Sequence, residues 1–134
     1  MPSYVLMLQT DEDDRYITEA VLTDLTNAVP VKYVARLGEI DAFVESEGEP
    51  SLILLNDNGS VAHKGGRLLK MLKADAKYNH IPVVILGEVS ADDKYIRECY
   101  RAGANTFIIK PSTLEETRKK IATFFQYWFD VAEV

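Results

Sequence analysis

Four consecutive apolar residues, Leu52-Ile53-Leu54-Leu55, stand between Pro50-Ser51 and a polar cluster, Asn56-Asp57-Asn58-Gly59. A run without polar alternation suits a strand that is covered on both faces. Such a strand needs a parallel sheet with helices on each side. Chemistry and ligands in these sheets gather just beyond the carboxyl ends of the strands. Asn56-Asp57-Asn58 therefore falls where a working site belongs.

The remaining chain repeats the pattern. Tyr4-Val5-Leu6-Met7-Leu8 and Val83-Val84-Ile85-Leu86 are further buried runs, and Thr106-Phe107-Ile108-Ile109 is a fifth strand. The stretch from Val31 to Ala35 alternates more and suits an edge. Helical spacing links them: Ile17, Ala20, Val21, Leu25 and Ala28, behind an Asp13 or Asp14 cap, then Ile40, Phe43 and Val44. After Gly65-Gly66 come Leu68, Leu69, Met71 and Leu72. A helix capped by Ser90 or Asp92 ends at Gly103, and a last helix starts near Ser112 or Thr113. This alternation predicts one α/β domain over residues 1–134. Its fold class is flavodoxin-like, a (βα)5 doubly wound parallel sheet with strand order 2-1-3-4-5.

Charge and cysteine content narrow the function. A net charge of −6 argues against an electrostatic nucleic-acid binder, which needs a basic face. The single cysteine, Cys99, rules out an internal disulfide and a CxxC metal site, and suits a reducing compartment. Met1-Pro2-Ser3 opens no signal-peptide pattern, and no apolar run is long enough to span a membrane. A cytoplasmic protein is the expectation. His63 and His80 stand apart from any ligand motif, and Cys99 reads as a buried filler.

Four pieces in this order resemble the receiver domain of two-component response regulators. They are the strand Leu52-Ile53-Leu54-Leu55 with its polar end, His80-Ile81-Pro82-Val83-Val84-Ile85-Leu86, Arg101-Ala102-Gly103-Ala104-Asn105, and Phe107-Ile108-Ile109-Lys110-Pro111. The tail Tyr127-Trp128-Phe129-Asp130-Val131 resembles that of stand-alone regulators that partner phytochromes. The resemblance implies a sensor histidine kinase or another signalling protein as partner, and no enzyme activity beyond phosphoryl acceptance.

A working receiver uses an aspartate acceptor, an acidic pair that holds Mg2+, a hydroxyl residue and a lysine. Carried over position by position, the acidic pair falls on Gln9 and Thr10, the acceptor on Asn56 and the hydroxyl on Gly87. Lys110 is retained, and Phe107 takes the place of the aromatic switch residue. An amide cannot act as the carboxylate nucleophile, and Gln9 with Thr10 suit a hard cation poorly. The reading is a degenerate, phosphorylation-independent interaction module that needs no cofactor. A second alignment makes Asp57 the acceptor, with Asp11 and Asp57 as weak ligands for Mg2+. Without an acidic pocket, Lys110 would pair with Asp57 or Asp11. Asp11-Glu12-Asp13-Asp14 otherwise reads as a helix cap and a solvated charge run. A flavin carrier of the same fold would need a phosphate-cradling Ser/Thr-rich loop after the first strand, and none is present.

The last helix carries Phe124, Phe125, Tyr127, Trp128 and Phe129. Neighbouring residues on a helix point about 100° apart, so these aromatics spread over more than one face. The expectation is a homodimer through this helix with Phe125, Trp128 and Phe129 in the interface. The alternative is a wide face that docks on the domain itself.

Overall fold

The computed structural model describes residues 4–8, 16, 20, 30–57, 64–88, 91–110 and 113–130, with the side chains of Lys64, Phe129 and Asp130 excepted. The strands are β1 (Val5–Leu8), β2 (Val31–Val34), β3 (Leu52–Asp57), β4 (Val83–Gly87) and β5 (Thr106–Ile109). They form one sheet in the order β2-β1-β3-β4-β5, with every pair parallel. This is the expected order, and the less apolar β2 lies on an edge. The helices are α1 (Ile40–Glu47), which follows a 3-10 turn at Leu37–Glu39, α2 (Lys64–Ala74), α3 (Asp93–Arg101) and α4 (Leu114–Asp130). Of the helix expected between residues 14 and 28, Tyr16 and Ala20 are described, and both are helical.

The pleat sends alternate side chains to opposite faces, which divides the core into two layers. Leu6, Leu8, Ile53, Leu55, Val83 and Ile85 face Ile40 of α1, Leu69 and Leu72 of α2, and Tyr95 and Cys99 of α3. Val5, Met7, Leu52, Leu54, Val84, Leu86 and Ile108 face Ile121, Phe125 and Trp128 of α4. Phe125 and Trp128 are 1% and 8% exposed. They are core residues, which corrects their assignment to an intermolecular interface. Both belong to the apolar stripe by which α4 packs on this layer. Phe124 stacks on Trp128 at 5.8 Å between ring centroids and meets Phe125 edge-on. The Phe129 side chain lies outside the described residues.

Three details differ from the sequence expectation. β3 runs two residues further and carries Asn56 and Asp57 within the strand, paired with Leu86 and Gly87. α2 begins at Lys64, so Gly65 and Gly66 lie inside its first turn rather than ahead of it. His80 is not isolated, because its Nε2 lies 2.7 Å from Glu49 Oε1. The caps follow chemistry already visible in the sequence. The Asp92 side chain accepts from the Tyr95 N–H at 2.8 Å, and Thr113 Oγ1 accepts from the Glu116 N–H at 3.2 Å. Gly103 takes φ +113 after α3, a conformation that a side chain would strain.

Candidate functional site

The carboxyl ends of β3, β4 and β5 bring together Asn56, Asp57, Gly87, Phe107 and Lys110. Strand parity separates them into two groups. Asn56 continues the row of Leu52 and Leu54 on the α4 side, whereas Asp57 continues that of Ile53 and Leu55 on the side of α2 and α3.

On the α4 side, Lys110 Nζ donates to Asn56 Oδ1 at 3.3 Å. Both residues are buried, and the ammonium also pairs with Glu88 Oε1 at 3.4 Å. The pairing of Lys110 with Asp57 expected from sequence is not formed among the described residues. Asp11, the other expected partner, lies outside them, as do Gln9, Thr10 and His63.

On the other side Asp57 is 4% exposed. Its carboxylate Oδ2 accepts a short hydrogen bond from the Tyr95 hydroxyl. The same hydroxyl oxygen accepts from the Gly66 N–H at 2.9 Å. That N–H belongs to the first turn of α2, where no intrahelical partner exists, so Tyr95 satisfies an orphan donor. Burial first, and the bond to Asp57 second, push the Tyr95 phenol far above its ordinary value. The glycines of α2 are explained by this packing. A Cβ on Gly65 would stand 2.8 Å from the Asp57 Cβ, and one on Gly66 would press on the Tyr95 ring.

Phe107 completes this side. Its ring meets Tyr95 edge-on at 5.8 Å and lies directly over Gly87. A Cβ at position 87 would approach two ring carbons to well under 3.0 Å. The ring thus fills the space that a hydroxyl-bearing side chain would need. Tyr95 is the residue that sequence reasoning misses. Its one local signal is an aromatic placed three residues after the cap Asp92, on a helix whose other residues are mostly charged.

A hard cation needs several oxygen ligands, with carboxylates among them. Here the Asp57 carboxylate is engaged by Tyr95, and the Asn56 amide oxygen accepts from Lys110 on the opposite face. No group of three or more His, Cys, Asp or Glu is arranged for a metal among the described residues. No helix among them is long and apolar enough to cross a membrane.

No protein-family model matches the chain. The cyanobacterial phytochrome response regulator RcpA, solved in its phosphorylated form, superposes with a TM-score of 0.82 at 24% identity, covering 99% of this chain and 98% of RcpA. The chain has the fold of a response-regulator receiver domain. In sequence it is 28% identical over 127 residues to the 3',5'-cyclic-nucleotide phosphodiesterase regA of Dictyostelium discoideum, covering 93% of this chain and 16% of that protein. It is 30% identical over 73 residues to the chemotaxis protein CheY of Pseudomonas aeruginosa, covering 54% of this chain and 58% of CheY. The chain thus spans less than two thirds of the length of these curated relatives.

Proposed function

We propose that this receiver-like protein is a cytoplasmic interaction module of two-component signalling, and that it works without phosphoryl transfer. The observation that carries the proposal is the partner of the retained lysine. Lys110 meets the amide of Asn56, on the same face of the sheet, and not a carboxylate of that strand. That contact supports Asn56 in the acceptor position. Gly87, under the Phe107 ring, offers no hydroxyl to a phosphoryl oxygen. Asp57 supports the second alignment through its register with Gly87, but its carboxylate is taken by Tyr95. The protein's role in this reading is binding, not catalysis.

The partner is a sensor histidine kinase, another signalling protein or a second copy of the chain, docked on the face built by β5 and α4. A groove of about 540 Å3 runs there between Phe107, Phe124, Lys119 and Lys120. Tyr127 on α4 is 55% exposed. The strand edge is partly closed, because the Phe107 N–H donates to the Tyr100 hydroxyl oxygen and the Ile109 carbonyl accepts from Lys120 Nζ. A partner on this edge therefore meets side chains and not a free row of backbone groups.

Incubation with a small phosphodonor and Mg2+, followed by intact-mass measurement, tests the proposal. The expected result is an unmodified mass. A single phosphoryl addition that vanishes in Asp57→Asn would overturn it in favour of the second alignment.

A further inference from the structure

Helix α3 is poorly anchored by apolar burial. Tyr95 and Cys99 are its buried residues, and most of the others are charged. Polar ties make up the difference. The Tyr95 hydroxyl bridges Asp57 of β3 and the Gly66 N–H of α2, while the Tyr100 hydroxyl accepts from the Phe107 N–H of β5. The Tyr95 ring also bounds the seat of Phe107 over Gly87. One side chain thus joins three elements to α3. An element with few apolar contacts opens locally at far lower free energy than the whole fold.

We infer that Tyr95 is a latch, closed by its hydrogen bond to Asp57, and that its release frees α3 and the Phe107 ring as one local unit. The latch gives Asp57 a role that needs no phosphoryl chemistry. It holds one conformation of the face formed by Tyr100, Phe107 and α4. A partner that favours the open form would work against this bond and the burial of Tyr95 and Cys99, not against the rest of the core.

Cys99 is a built-in reporter, because it is 2% exposed, lies on α3 and is the single cysteine of the chain. The rate of its labelling by a thiol reagent under native conditions, divided by the reactivity of the same variant's thiol in denaturant, reads how often α3 opens. The division is needed because Tyr95 also hydrogen-bonds the Cys99 thiol. Tyr95→Phe keeps the ring and deletes the hydroxyl, leaving the Asp57 carboxylate and the Gly66 N–H without that partner. Labelling should accelerate roughly 10- to 100-fold, the range set by loss of a hydrogen bond to a charged group. Asp57→Asn retains an acceptor and should give a smaller rise. Ile121→Val, on the opposite face of the sheet, weakens the whole fold and serves as the reference. Amide exchange at Gly66 should rise with Cys99 labelling in Tyr95→Phe. Labelling of Tyr95→Phe at the wild-type rate would overturn the latch. So would an acceleration in Ile121→Val that matches that variant's loss of global stability in urea, since Cys99 would then be exposed by global unfolding. Neither result depends on whether the protein accepts a phosphoryl group, which intact mass reads separately.

Discussion

Gly87→Ala is the sharpest test of the packing at this site. The added Cβ would stand well under 3.0 Å from two carbons of the Phe107 ring, against 3.4–4 Å for ordinary contact. The ring must therefore retreat by roughly 1 Å to regain normal carbon–carbon separation. Phe107 is half-buried and lines the groove beside α4, so part of that retreat goes outward and the rest presses on Tyr95, whose ring lies edge-on at 5.8 Å. Overpacking of this kind costs about 1–3 kcal/mol. Gly87 is not among the glycines of positive φ, so alanine regains about 0.5–1 kcal/mol of backbone entropy there. The net expectation is a loss of about 1–2 kcal/mol. In a Phe107→Ala background the clash is gone, and Gly87→Ala should be neutral or stabilising by about 0.5–1 kcal/mol. The coupling is then about 1.5–3 kcal/mol, well above the roughly 0.5 kcal/mol within which independent sites add. Urea unfolding followed by the fluorescence of Trp128 gives all four corners of the cycle. With a slope of about 1–3 kcal/mol per molar urea, the single change should lower the midpoint by roughly 0.3–2 M. Additivity within about 0.5 kcal/mol would refute the claim that the ring occupies the space above Gly87.

Trp128→Ala should destabilise the fold by about 3–5 kcal/mol, read by urea unfolding with circular dichroism, because this side chain is buried in the α4 layer. Tyr127→Glu should leave stability within about 0.5 kcal/mol; light scattering across a dilution series should show self-association in the wild type and its loss in this variant. A monomer at every concentration would refute pairing through α4. At alkaline pH, the phenols of Tyr4, Tyr78 and Tyr95 are all held above their ordinary value, burial being the first cause in each. A raised folded value means that their stabilisation is complete below the unfolded value near 10 and is lost as pH climbs beyond it. Burial lowers Lys73 instead, so its contribution grows as pH rises toward the ordinary lysine value and opposes the loss only in that range. The urea midpoint should fall above about pH 10, and more shallowly in Tyr95→Phe; equal slopes would show that Tyr95 is not held protonated by the fold.

The sheet is legible in the sequence because every strand but β2 is built on a run of consecutive apolar residues, a signal that depends on nearest neighbours alone. The end of β3 is not, for a physical reason. Asn56-Asp57-Asn58-Gly59 has the composition of a turn, yet Asn56 and Asp57 are buried in the strand. Burial of such groups is tolerable when partners satisfy them. Lys110 is 54 residues away from Asn56, and Tyr95 is 38 from Asp57. Local spacing carries no trace of either pairing. Gly65 and Gly66 look like a lead-in to a helix for the same reason. Their lack of a side chain answers to Asp57 and Tyr95 across the fold, not to the backbone of α2. The aromatics of α4 mislead in the opposite direction. Their number suggests a second exposed face, whereas Phe125 and Trp128 are buried in the layer that α4 shares with the sheet.

The division of the site by strand parity bears on whether acceptor chemistry could be recovered by a small motion. A phosphoryl acceptor beside the lysine requires a carboxylate on the α4 face, and β3 presents an amide there. Moving Asp57 into that place means sliding β3 by one residue against β1 and β4. A one-residue slip sends every side chain of the strand to the opposite face. Leu52 and Leu54 would then exchange layers with Ile53 and Leu55, all four of them fully buried. Both cores would have to repack, and the Tyr95 hydroxyl and the Gly66 N–H would lose their present arrangement with Asp57. A local bulge at Asn56 is the cheaper route, but it would break the pairing of Asn56 and Asp57 with Leu86 and Gly87. The charge at Asp57 and the charge at Lys110 are thus kept apart by the same parity that builds the two layers of the core. On this account, Asn56→Asp is the substitution that brings a carboxylate to Lys110 without disturbing either layer, and Asp57 remains the acceptor for Tyr95.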